Sequence, residues 1–181
     1  MKNNKEIILS FIIILFFFNI AASSEKINYS SNTIKILENG KIISGEGNVE
    51  ITIDKNIFIS SEKFEYNKET GLYKIFNNVK FKDNVNNIKA SGPEFILSKF
   101  ENKIISKTKS NVIYQNTYNI DLNNFEYDIN SKKIRSDDLV IIKDDINNYF
   151  ELYEFLFDLK TKKFLEKEIK FIDYQQNKYF L

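Results

Sequence analysis

From Ile34 onward, apolar and polar residues alternate with a period of two. Val49, Ile51 and Ile53 fall on one side, and Glu50, Thr52 and Asp54 on the other. Phe64 and Tyr66 alternate with Lys63, Glu65 and Asn67, and Val79 and Phe81 with Lys80 and Lys82. The same beat continues through Phe95 and Leu97, Val112 and Tyr114, Ile120 and Leu122, and Phe125 and Tyr127. Alternation of this kind predicts antiparallel strands with one covered face and one wet face. Roughly a dozen strands of ordinary length fit the pattern. Val140-Ile141-Ile142 interrupts it, which predicts a strand covered on both faces or packed near a chain end. Between Glu151 and Lys163, the residues Leu152, Phe155, Leu156 and Leu159 would also line one face of a helix. Strand is favoured there, because Phe155-Leu156-Phe157 stands where the pattern places Phe125-Glu126-Tyr127.

The alternation is itself repeated. Ile34, Phe64, Phe95, Phe125 and Phe155 follow one another at intervals of 30, 31, 30 and 30 residues. Two positions after each stands another large residue: Ile36, Tyr66, Leu97, Tyr127 and Phe157. A polar turn follows, as in Lys68-Glu69-Thr70-Gly71 and Asn130-Ser131-Lys132-Lys133. Further on, a polar residue precedes an aliphatic one: Asn48-Val49, Asn78-Val79, Asn111-Val112, Asp138-Leu139 and Glu168-Ile169. A fixed period of this length marks one supersecondary unit copied along the chain. The unit reads strand, turn, strand, turn, with Asn, Asp, Gly, Lys and Ser supplying the turn chemistry. The expectation is an all-β stack of antiparallel hairpins over residues 33–181, with a flexible lead-in over 24–32.

The first residues read differently. Lys2 and Lys5 precede an apolar run from Ile7 to Ile20, and Ala21-Ala22-Ser23 offers small residues for cleavage. This is the pattern of a secretory signal peptide over residues 1–23. The run is shorter than the ~20 residues a spanning helix needs. An uncleaved anchor is the competing reading. Without Lys2, Lys5 and Glu6 the remainder carries 24 basic and 24 acidic side chains, interleaved along the chain. A balanced charge gives no footprint for nucleic acid.

The chain has no Cys and no His. That removes disulfides, cysteine nucleophiles, Ser-His-Asp triads and His or Cys zinc sites. The acidic pairs Asp137-Asp138 and Asp144-Asp145 sit at predicted turns, and neighbours on a strand point to opposite faces. They read as turn formers rather than an acid/base pair. No enzyme activity, metal or cofactor is expected. Tyr174 to Leu181 reads like the start of a further strand, which is either an open edge or the beginning of more chain.

A hairpin stack with one apolar face hides that face against a second sheet, or curls into a greasy groove. Val49, Ile51, Ile59, Phe64, Tyr66, Phe81, Phe95, Phe125 and Tyr127 are the candidate interior residues, with Phe155, Phe157 and Phe171 continuing the set. A closed sandwich core is the plainer reading of them and a trough for acyl chains the functional one, and the pattern alone does not separate the two.

Gly45-Glu46-Gly47-Asn48-Val49-Glu50-Ile51, followed by Ile57 through Gly71, resembles the OstA-like repeat. In that family a GNV strand is followed by a strand ending in an apolar residue, Tyr and Asn or Asp, and then a turn. The family comprises periplasmic lipopolysaccharide-transport proteins: the LptA bridge, the periplasmic part of LptC and the N-terminal domain of LptD. The resemblance spans roughly Ile34 to Phe171 and is strongest in the first two repeats; Asn111-Val112 and Asp138-Leu139 lack the glycine. It implies a twisted, partly open β-jelly roll. Lipid A acyl chains would lie inside, and edge strands would pair with other OstA-like domains across the periplasm. It also implies a place in outer-membrane assembly. The size and signal suit the bridge, the aromatic-rich late repeats suit the LptD domain, and an uncleaved anchor would suit LptC. Lys63, Lys80 and Lys82 would meet lipid phosphates at the groove mouth. The alternative is an exported structural β-repeat module with a dry core.

Overall fold

The computed structural model describes residues 26–165, 168–175 and 177–180. The segment read as a signal peptide lies outside them. The described chain is antiparallel β-structure apart from one short 3-10 turn at Glu38–Gly40. Its strands are β1 Ile27–Ser30, β2 Thr33–Leu37, β3 Ile42–Ile53, β4 Ile57–Asn67, β5 Leu72–Asp83 and β6 Ile88–Ser98. There follow β7 Lys103–Ser106, β8 Ser110–Tyr114, β9 Tyr118–Leu122, β10 Phe125–Asp128, β11 Lys133–Ser136 and β12 Val140–Lys143. The last are β13 Tyr149–Tyr153, β14 Phe155–Asp158, β15 Lys163–Leu165, β16 Glu168–Ile172 and β17 Lys178–Phe180.

The strands form one sheet folded along a crease. Strands β3 to β6 are long and cross the crease, so each belongs to two layers. In layer A the order is β2-β3-β4-β5-β6-β7-β10-β11-β14-β15. In layer B it is β1-β3-β4-β5-β6-β8-β9-β12-β13-β16-β17. The pairing does not return to its beginning: β1 and β2 lie at one end, β15 and β17 at the other. This is the expected hairpin-repeat architecture, a twisted and partly open β-jelly roll. Turns form two rims opposite the crease, one on each layer.

The repeat motif explains the crease. Gly47 (φ +77°) and Asn48 (φ +48°) turn β3 from one layer into the other, and Asn77 (+63°) and Asn78 (+54°) do the same for β5. Gly and Asn tolerate this left-handed region better than other residues do. The ladder register shifts at these corners, between Glu46 and Val49 and between Phe76 and Val79. Gly45 serves a different need. A Cβ there would stand 2.2 Å from Cε1 of Phe64, its cross-strand partner, and 2.6 Å from Oγ of Ser31. The bare glycine lets the Phe64 ring lie over the backbone. Later strands break at the crease, where buried serines hold the corners: Ser110 Oγ donates to the Thr108 carbonyl (3.2 Å) and Ser136 Oγ to that of Asn123 (2.6 Å).

The rims also carry repeat chemistry. Three residues after the anchors, Asn67, Asp128 and Asp158 each accept two N–H groups of the following turn. Ser98 Oγ accepts one, from Glu101. Such side-chain-capped turns are a reason Asx and Ser recur there.

Four of the five anchors, Phe64, Phe95, Phe125 and Phe155, are fully buried. Ile34 is 49% exposed, because β2 is an edge strand with every residue exposed. Several other expectations are corrected. Residues 27–30 of the supposed lead-in form β1, paired with β3 from Ile27 opposite Ile53 to Ser30 opposite Glu50. Val140 and Ile142 are buried while Ile141 is only partly covered, so that strand alternates like the others. Asn111 and Asp138 do not occupy corners equivalent to Asn48. Asn111 lies within β8, and Leu139 is exposed while Val140 takes the buried place. Phe155–Asp158 is strand, as the repeat register required.

Candidate functional site: the interior between the layers

Each layer presents rows of side chains to the other. The middle row of layer B runs Tyr29, Ile51, Ile59, Phe81, Ala90, Val112, Ile120, Ile142, Phe150, Phe171, Tyr179. These are directly registered neighbours on eleven strands, and none carries a charge. The row is buried at its centre. It emerges at both ends, where Tyr29, Phe150 and Phe171 are half-buried and Tyr179 is exposed. Layer A answers with Ile43, Tyr66, Tyr73, Leu97, Ile104, Tyr127, Ile134 and Phe157, again in direct register. Aromatic pairs join the layers: Tyr29 to Phe64 at 5.1 Å, Phe81 to Tyr127 at 5.5 Å and Tyr114 to Phe157 at 5.0 Å between ring centroids.

Of the nine residues singled out in the sequence, Val49, Ile51, Ile59, Phe64, Phe81, Phe95, Phe125 and Tyr127 all point between the layers and are at most 1% exposed. Tyr66 is half-buried and stacks on Tyr73 at 4.0 Å. The structure therefore brings all nine to one interior, packed side chain against side chain. Burial of each large side chain contributes about 1.5–3 kcal/mol, so apolar contact is the main force holding the layers together.

Among the described residues, one ionisable carboxyl lies in the interior rows. Asp83 ends the parity set Val79, Phe81, Asp83 and sits opposite Ile57 on one side and Ile88 on the other, 1% exposed. Its Oδ2 accepts hydrogen bonds from Tyr127 Oη (2.6 Å) and Asn86 Nδ2 (2.7 Å). Its Oδ1 accepts the backbone N–H groups of Val85 (2.9 Å) and Asn86 (3.0 Å). Burial pushes the carboxyl pKa up, but the Tyr127 hydroxyl, the Asn86 contacts and nearby Lys132 outweigh it and hold the pKa below the usual value. Burial, and then Asp83 itself, push the Tyr127 hydroxyl far up, so it stays protonated and donates. Asp83 belongs to the layer B rim and Tyr127 to layer A. Their bond is thus a latch across the mouth of the folded sheet. The sequence reading missed Asp83. The available signal was its parity, an acid on the inward side of an apolar strand.

The predicted cations separate. Lys63 lies on the outer face of layer A, 3.2 Å from Glu65 and 3.9 Å from Glu46. Lys80 and Lys82 lie on the outer face of layer B. None of the three stands at the mouth between the layers. Asp137 pairs with Arg135 (3.6 Å) at the crease, while Asp144 caps a rim turn by accepting N–H groups from Ile146 and Asn148. Both act as turn residues, far from each other in the fold. Among the described residues no cluster of Asp or Glu is placed to hold a metal.

The fold defines a hairpin-repeat protein whose two layers share a continuous, packed apolar interior. No family model matches the chain, and no curated protein matches it. Among solved structures, it is similar to LptH of Pseudomonas aeruginosa, the LptA-homologous periplasmic component of the lipopolysaccharide transport device. The TM-score is 0.49 at 12% identity, covering 57% of this chain and 76% of that one. It also aligns to the TCP10 domain of Danio rerio CPAP in complex with a STIL peptide. There the TM-score is 0.16 at 9% identity, covering 85% and 97%. At these scores neither likeness bears on what this chain binds.

Proposed function

We propose that this protein is a periplasmic lipid carrier of the lipopolysaccharide-transport type, holding acyl chains between its two layers. The observation that carries the reading is the uncharged row crossing eleven strands of layer B from one open edge to the other. A closed core needs no such continuity to its last strand; a conduit does. Acyl chains enter by parting of the rims. Each buried CH₂ then contributes about 0.8 kcal/mol, spread along the cleft with no single decisive contact. The GNV corner at Gly45–Val49 supports the same reading through its resemblance to the OstA-like repeat. Val49, Ile51, Ile59, Phe64, Tyr66, Phe81, Phe95, Phe125 and Tyr127 are the lipid-contacting candidates. No catalytic step and no cofactor is needed.

The edges supply the partners. β2 exposes Ile34, Ile36 and Leu37, and β15 exposes Phe164 and Leu165. Unpaired edge strands of this kind accept a further strand by β-augmentation. Other OstA-like domains would extend the cleft in this way, as bridge or docking domain for outer-membrane assembly. The signal at 1–23 directs the chain to the periplasm.

A second reading, a structural module with a dry core, is favoured by the tight packing of eight of the nine candidates. Photocrosslinking in cells separates them. A photoreactive residue replaces Tyr66, on the inner row beside the rim, or Glu65, on the outer face. A lipopolysaccharide adduct at Tyr66 alone is expected. A folded, exported protein with no adduct at either position would leave the structural module.

A further inference from the structure

The outer face of layer B carries a second concavity, of about 520 Å³. It lies across the sheet from the apolar interior. Its floor includes Ile51, Ile59, Phe81 and Ala90, whose side chains point the other way into the core. Its walls come from two outward rows. One reads Thr52, Phe58, Lys82, Lys89, Ile113 in direct register, and the other places Lys80 between Ser60 and Ser91.

Two features mark this concavity. Lys82 and Lys89 face each other directly across β5 and β6, with Lys80 on the same face one pleat away. Like charges directly opposite in a ladder destabilise it. On layer A, Lys63 pairs with Glu65 and Glu46, and Lys103 with Glu126. Among the described residues, Lys80 and Lys82 have no carboxylate partner, and Lys89 donates only to the amide oxygen of Asn116, at 3.0 Å. Glu50 is the single acid lining the cavity. The second feature is apolar. Phe58 is 40% exposed at one end of the lysine row, and Ile113 is half-exposed at the other.

Three ammonium groups flanked by serine and threonine hydroxyls suit a phosphate, which offers several strong acceptor oxygens. A neighbouring aromatic ring and an isoleucine suit a hydrocarbon group attached to it. A half-open cavity of this volume falls in the range of small-ligand sites. We propose that the outer face of layer B binds a phosphorylated amphiphile. Lys80, Lys82 and Lys89 hold its phosphate, and Phe58 and Ile113 cover its apolar part. The site stands apart from the interior cleft and does not depend on it, because the sheet separates the two.

The test is calorimetric titration of the purified protein with dihexanoyl phosphatidic acid below its micelle concentration, and separately with inorganic phosphate and dihexanoyl phosphatidylcholine. Saturable 1:1 binding of the phosphatidic acid is expected. It should weaken about tenfold or more in Lys82→Gln/Lys89→Gln and by a smaller factor in Phe58→Ser, and fall with added salt. Inorganic phosphate and the zwitterionic lipid should bind far more weakly. All five substituted or flanking side chains are on the surface, and unchanged thermal melting of the variants checks that the fold is intact. Binding that ignores the double lysine substitution would place the lipid between the layers and overturn this site, while leaving the carrier reading standing. Equal binding of inorganic phosphate and phosphatidic acid, insensitive to Phe58→Ser, would overturn it as an amphiphile site. Absence of saturable binding by the folded protein would overturn it outright.

Discussion

The crease and the mouth of the folded sheet are held by different forces. At the crease the layers are joined by the main chain of β3 to β6, and the interior there is filled by Phe64, Phe95, Phe125 and Phe155. At the mouth no strand crosses. Among the described residues the rims meet through side chains: the Asp83–Tyr127 and Asn86–Tyr127 bonds, with Tyr66, Tyr73, Tyr114 and Phe157 packed nearby. On the carrier reading proposed above, a long apolar ligand would enter at the mouth, because main chain closes the crease. The distribution of polar groups marks the same side, since the tyrosine hydroxyls and the Asp83 carboxylate gather at the rims.

The largest effect that would break this comparison lies on the crease. Phe95 is fully buried, 5.9 Å from the ring of Phe125. Phe95→Asp puts a carboxylate where no partner exists, and loss of the cooperative thermal transition and of lipid capture is the expected result. Phe95→Ala, costing about 3–5 kcal/mol, gives a milder version if the aspartate variant fails to express. Unchanged melting and lipid capture in both would contradict the inward assignment.

An intermediate effect is expected at the mouth. Tyr127→Phe keeps the ring and removes the donor across the rims. The hydroxyl also accepts from Asn86 Nδ2 at 3.2 Å, so two hydrogen bonds go, and leaving the buried carboxylate without its tyrosine donor costs about 1–3 kcal/mol, less than a crease cavity. Amide exchange of β10 and of the Asn84–Asn87 turn should quicken, while β3 to β5 near Gly47 and Asn78 keep their protection. Uniform change along the chain would remove the distinction between the two sides.

The smallest effect is in the pH dependence. Asp83 has a folded pKa held below its ordinary value. Its contribution is therefore present above the carboxylate range and lost as pH falls through the folded value. Asp128, Asp158 and Asp173 are shifted the same way, so acid weakening alone is not specific to the latch. The difference between wild type and Asp83→Asn is. Denaturant midpoints of the two should converge as pH drops below about 4, and a constant difference down to strong acid would show that the latch carbonyl geometry, not its charge, matters.

Much of this architecture was readable in the sequence because one face of every strand is buried. A period-two pattern then fixes which side chains point inward, and Phe64, Phe95, Phe125 and Phe155 obey it. It also settled Phe155–Asp158 as strand despite helical spacing of its leucines. The pattern misled where burial depends on position in the sheet rather than along the strand. Ile34 has an anchor's spacing but stands on an edge strand with nothing to cover it. Ile27–Ser30 alternates for only four residues and stands outside the 30-residue repeat, yet pairs with β3. Asn111 and Asp138 look like Asn48, but the later corners are made by strand breaks and buried serines.

The sequence by itself determined the strand class, the 30-residue unit and the inward face, because these follow from local alternation and turn chemistry. Only the tertiary structure decided that two distant rows meet. The Asp83–Tyr127 bond joins residues 44 apart in the chain, and Lys82 faces Lys89 through ladder register. Such contacts depend on where the sheet folds over and how its strands align, and neither is encoded in the composition of any single segment.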